Sequence, residues 1–163
     1  MKTYIILAIS LLLSQNGCEE KGANEIASNN YIRLEIPMYP SNYSHIYEVT
    51  ENTKKIFLRN RRTEKDSLIY NEKSSAKTYE KLAFYSNKIN KDVYENKCIE
   101  DGMNFNLLVK KDSLNKNVLF TNAYNINLDS IITKVNKDIP KTHQIYYNKA
   151  IIDSLLKNCS DKK

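Results

Sequence analysis

Residues 103–140, MNFNLLVKKDSLNKNVLFTNAYNINLDSIITKVNKDIP, carry the pattern that decides the fold. Phe105, Leu107 and Val109 alternate with other side chains, so Met103 to Lys110 reads as a strand with one apolar face. Asp112 to Lys116 is a turn, and Asn117 to Tyr124 returns as the partner strand. The period then lengthens. Leu128, Ile131, Ile132, Val135 and Ile139 fall at i, i+3, i+4, i+7 and i+11, one face of a helix that Asn127 can cap and Pro140 stops. A hairpin feeding an amphipathic helix lacks the strand–helix–strand rhythm of a parallel sheet, so the fold expected is antiparallel.

The flanks agree. Upstream, Tyr31 to Tyr39 alternates, with Ile32, Leu34, Ile36 and Met38 on one side and Arg33 and Glu35 on the other; Pro37 suggests an edge position or an early strand end. His45 to Glu51 and Lys54 to Arg61 form a second hairpin around Asn52-Thr53, and Ser67 to Asn71 is a short fourth strand. Ser74 or Ser75 caps a helix whose Tyr79, Leu82, Ala83, Ser86 and Ile89 share one face. Residues 91–102 are polar and close on the turn signal Asp101-Gly102. Downstream, Tyr147 to Asn158 reads as a last helix with Ile151, Ile152, Leu155 and Leu156 inward. The expected fold class is α+β: a two-layer domain, an antiparallel sheet of hairpins with two to three helices on one face.

The N-terminus reads differently. Lys2 precedes an uncharged, mostly apolar run from Tyr4 to Leu13, and small or polar residues lead to Cys18. Such a run is too short to span a bilayer, which takes about 20 apolar residues, and has the three-part layout of a secretion signal. The expected organisation is a signal peptide at 1–17, a tether at 18–30 and one α+β domain at 31–160. Removing 17 of 163 residues leaves 146, enough for one domain with a real core. Losing Lys2 takes the net charge from +6 to +5. The excess is scattered lysine, 21 Lys against 4 Arg, with Arg59, Arg61 and Arg62 the only arginine cluster, so nucleic acid is not expected as a partner.

Catalytic signatures are sparse. His45 and His143 are the only histidines and lie far apart, with no metal-ligand spacing, so no metal or cofactor is expected. There is no Gly-x-Ser-x-Gly elbow, and with 3 glycines no phosphate loop. Glu100-Asp101 is read as a solvated turn. Tyr39, Tyr43 and Tyr47 bracket a Pro-Ser-Asn loop, and Tyr suits recognition because it is rigid, apolar and able to hydrogen-bond. The competing reading is strand packing, since Tyr, at 12 copies, carries much of the aromatic packing in a chain without Trp. Beyond Cys18, Cys98 and Cys159 remain. An exported compartment permits a disulfide between them, and two separate thiols are the alternative.

Gly17-Cys18 at the end of the apolar run resembles a bacterial lipobox, which implies that Cys18 is acylated and becomes the mature N-terminus. Glu19-Glu20 is similar to the acidic tract of surface-exported Bacteroidota lipoproteins. Four Asp-Ser-hydrophobic tripeptides, at Ser67, Ser113, Ser130 and Ser154, resemble the O-glycosylation acceptor of exported Bacteroidota proteins; Ser113 and Ser67 are the candidates outside helices. With the flow from Asp101 to Leu156, the chain resembles uncharacterised small lipoproteins of Bacteroidota. The resemblance implies a lipid-anchored protein of a Gram-negative envelope, on the outer membrane more than the inner. The expected function is a non-enzymatic binding or protective, immunity-type domain whose partners are the membrane, through the anchor, and a protein. The alternative is a small periplasmic hydrolase whose site is assembled from scattered residues.

Overall fold

The computed structural model of the chain describes residues 30–160 apart from 100, 101 and 138. The segment read as a signal peptide, the tether at 18–29 with Cys18, and the Glu100-Asp101 pair lie outside the described residues. Among the described residues seven strands form one sheet: β1 (Tyr31–Met38), β2 (Tyr43–Val49), β3 (Thr53–Asn60), β4 (Lys65–Lys73), β5 (Val93–Glu95), β6 (Asn104–Lys111) and β7 (Leu114–Thr121). Their spatial order is β4-β3-β2-β1-β6-β7-β5. All neighbours pair antiparallel except β5, which runs parallel to β7. Three helices accompany them: α1 (Ala76–Asn87), α2 (Ile126–Asn136) and α3 (Lys149–Ser160), with a 3₁₀ turn at Lys141–His143. Among the described residues no helix is long and apolar enough to cross a membrane.

The α+β class follows from which faces are apolar. On the sheet, Ile32, Leu34, Tyr47, Val49, Phe105, Leu107, Val109, Val118 and Phe120 project to one side and are buried. They meet Tyr79, Leu82 and Ala83 of α1 and Leu128, Ile131, Ile132 and Val135 of α2 in one core. Ser75 caps α1, its hydroxyl accepting from the Thr78 N–H at 3.2 Å. The opposite sheet face carries the polar half of the alternation, with Arg33–Glu48 paired at 2.6 Å across β1 and β2.

Several expectations are corrected. Asn125, not Asn127, caps α2: its side-chain oxygen accepts from the N–H groups of Asn127 and Leu128. The β6–β7 turn is two residues, Asp112-Ser113, not five, because Asp112 takes φ 53°, a conformation a short polar side chain tolerates. β1 is a central strand despite Pro37. Its ladder with β6 ends at Glu35–Asn106, so at Pro37 the strand pairs with β2 alone and is locally an edge. α2 ends at Asn136, ahead of Pro140, although Ile139 remains buried. α3 starts at Lys149 instead of Tyr147, and Ile151 faces out at 47% exposure while Ile152 is buried. β5 lies in the stretch read as polar and is too short to show a period. Gly102 has a packing reason: a Cβ there would meet the Asn122 Oδ1 at 1.5 Å, and Asn122 is held by donating to the Ile99 carbonyl at 2.8 Å.

Candidate interaction surface

Antiparallel pairing brings two turns to the same end of the sheet. Tyr43 pairs with Met38 on one side and Asn60 on the other, so the β1–β2 turn lies beside the β3–β4 turn. The Arg61 N–H donates to the Asn42 carbonyl at 2.8 Å, and its guanidinium donates to the Ser41 carbonyl. That guanidinium sits 4.9 Å from the centre of the Tyr39 ring, a cation–π contact. Tyr39 is 64% exposed, and Tyr43 and Met38 are exposed beside it. Tyr, Met and Arg are the residue types enriched in protein interfaces.

The corner continues onto β4, the end strand of the sheet, with no strand on its outer side among the described residues. Leu68 and Ile69 are both exposed, and Leu68 pairs with half-buried Phe57. Ile69 sits where the β3–β4 register shifts, a bulge that bends the edge. Arg59 holds the turn-proximal end of β4. It donates to both oxygens of Asp66, from Nε at 2.7 Å and Nη2 at 2.8 Å, and lies 3.6 Å from Glu35. The hydrogen bond from Arg59 holds the Asp66 carboxyl below its ordinary range. The result is an ordered edge strand flanked by an aromatic and arginine corner. An unpaired edge is a template for strand addition by another chain.

The structure separates the residues named from the sequence. Tyr39 and Tyr43 belong to the surface, but Tyr47 does not: it is buried in the core, as the competing reading had it, because the β2 alternation turns it to the helix side. Burial pushes its phenol up to about 12, so it stays a donor, and it donates to the His143 carbonyl at 2.7 Å. Ser113 is exposed on the β6–β7 turn and Ser67 on β4. Ser130 donates to the Ile126 carbonyl within α2. Cys98 and Cys159 form a disulfide. Arg61 was named only as part of an arginine cluster, and Leu68 and Ile69 were not singled out from the sequence. Leu68, Ile69 and Tyr70 are consecutive and carry no period; Leu68 and Ile69 are exposed, while Tyr70 packs against the core. Comparison with family models, curated proteins and solved structures found no match for this chain.

The fold also joins what the sequence held apart. His143 is near enough to oppose protonation of His45, with the Tyr47 ring 6.2 Å from His45 and the Tyr70 ring 6.1 Å from His143. Among the described residues no group of three or more His, Cys, Asp or Glu side chains is placed to hold a metal ion. Burial first, then His143, lowers the His45 pKa below 6.5. The unfolded chain therefore binds the extra proton more readily, so stability is full above 6.5 and falls as pH drops through the depressed folded value. Thermal melts from about pH 7.5 to about pH 5.5 should show Tm falling, and His45→Gln should flatten that decline. An equal decline in the variant would assign the effect to other groups.

Proposed function

We propose that this chain is an envelope-anchored lipoprotein, acylated at Cys18, whose α+β domain works by non-enzymatic binding of a protein, in the manner of an immunity or protective factor. The observation that carries this reading is the β4 edge beside the Tyr39–Tyr43–Arg61 corner. A strand at the end of the sheet, with no neighbour on its outer side among the described residues, suits main-chain pairing with another chain, and the exposed Leu68 and Tyr39 offer anchors next to it. The Cys98–Cys159 disulfide suits an exported chain. The lipobox-like Gly17-Cys18 and the resemblance to small Bacteroidota lipoproteins supply the address.

The test uses the full chain in its own envelope. A photo-crosslinking residue at Leu68 should yield a discrete protein adduct, and one at Ala150 should not. Tyr39→Ala with Tyr43→Ala should abolish the adduct, since central aromatic anchors each contribute about 2 kcal/mol or more to binding. Mass spectrometry should find a diacylglyceryl group on Cys18, and Cys18→Ala should release the chain from membranes. No adduct at Leu68, combined with hydrolase turnover lost in His45→Gln, would replace the binding reading with the enzyme.

A further inference from the structure

The end of the sheet opposite the Tyr39 corner carries a second surface. α1 crosses the strands there. Its first turn follows β4, its Tyr79 hydroxyl donates to the Lys110 carbonyl of β6 at 3.3 Å, and the Ser86 carbonyl beyond accepts from Lys116 of β7 at 3.2 Å. The C-terminal part of α2 lies alongside. Between the two helices runs a groove of about 410 Å³, and it continues into a second hollow of about 250 Å³. Four lysines line these spaces: Lys77 and Lys81 from α1, Lys134 from α2 and Lys137 at its end. Among the described lining residues the one carboxylate is Glu80, and both its oxygens are held by Lys111 at 2.9 and 3.0 Å. Phe84 stands in the same groove, 55% exposed, with the Lys88 ammonium 4.2 Å from its ring centre.

The chain enters the fold at this same end. Tyr31 pairs with Lys110, and the Asn30 side chain accepts from the Asp112 N–H at 2.9 Å, on the turn next to Lys111 and Glu80. Eleven residues lie between Cys18 and Asn30, a reach of at most about 40 Å. A lipid on Cys18 would hold the domain within that distance of the bilayer, on a tether that leaves from this end. We propose that the Lys77–Lys81–Lys134–Lys137 groove is a membrane-facing surface that binds the phosphate headgroups of anionic lipids, with Phe84 seated at headgroup depth. Lysines near an anionic surface and an exposed aromatic at the interface are the two elements such a contact requires. With the groove seated on the membrane as well as the tether, the opposite end of the strands, about 25 Å away at about 3.3 Å per residue, presents Tyr39 and Arg61 away from it. This orientation rests on acylation of Cys18; the groove's lipid preference does not.

The experiment places the full mature chain in vesicles of phosphatidylcholine alone or with phosphatidylglycerol, and measures amine acylation of each lysine by mass spectrometry. Lys77, Lys81, Lys134 and Lys137 should react about fivefold more slowly with phosphatidylglycerol present, while Lys65 at the far end should not change. The variant Lys77→Gln with Lys81→Gln, checked for an unaltered melt, should lose that protection at Lys134. Equal reactivity in both vesicles, with the chain co-floating in both, would overturn the groove. Matching protection by inorganic phosphate would assign it to a free anion, and protection by an oligonucleotide alone would assign it to nucleic acid. Failure of the anchor reads separately: the chain would not float with phosphatidylcholine. Flotation with phosphatidylglycerol that Lys77→Gln and Lys81→Gln remove would then still support the groove, and none would reject it.

Discussion

Phe105→Ala should lower the unfolding free energy by about 3–5 kcal/mol, the range for truncating a buried aromatic. Phe105 is 1% exposed and belongs to the core shared by the sheet, α1 and α2. Its ring meets Tyr147 edge-on at 5.2 Å between centres. The Tyr147 hydroxyl donates to the Ala123 carbonyl at 2.9 Å and accepts from the Asn125 N–H at 2.7 Å, so the same contact positions the segment that caps α2. Loss of the ring removes apolar burial and the edge-on contact, leaving Tyr147 with its stacking on Tyr124 alone. A domain of this size is stable by about 5–15 kcal/mol, so the effect is a large fraction of the whole. Urea melts should show the midpoint fall with an unchanged slope, and Phe105→Leu should recover much of it. A midpoint close to that of the unsubstituted chain would mean that the helix layer does not depend on this contact.

Regular periods are what made the sheet and the two core helices legible. Tyr79, Leu82 and Ala83, and again Leu128, Ile131 and Ile132, repeat at helical spacing because a core lies on one side only. β5 left no such trace: in Val93–Glu95 only Tyr94 turns inward, stacking on Phe120 at 4.9 Å, and one inward residue has no period. Boundaries were lost where one backbone conformation decides them, as at Asp112 with φ 53° and at Asn125. The surfaces were legible only as residue types. Tyr39 and Tyr43 could be named, but their proximity to Arg61 and Leu68 depends on two hairpin turns meeting at one end of the sheet. The four groove lysines come from two helices, with Lys81 and Lys134 more than fifty residues apart, and scattered lysine is how they read in one dimension. His45 and His143 were set aside for their separation, which the 3₁₀ turn at Lys141–His143 cancels by lying against β2.

Replacing both Cys98 and Cys159 by Ser should cost about 4 kcal/mol, the value the chain-entropy model gives for a loop of this length. The two cysteines stand 61 residues apart in sequence and 5.7 Å apart between Cα atoms. The loop they close contains β6, β7 and α2, so the crosslink restricts the unfolded chain through its central hairpin and one core helix. It also ties down α3, whose own packing is thin: Ile152 is buried, Leu155 and Leu156 are half-buried and Ile151 faces solvent. Two readouts should therefore move together. The urea midpoint should fall, and amide exchange across Lys149–Ser160 should accelerate far more than across α1 or α2, because weakly packed elements open first. The double substitution is preferred to a single one, which would leave a thiol free to pair between molecules. If α3 exchanges at its original rate in the double variant, the helix is held by its apolar face, and the disulfide acts on the unfolded chain alone.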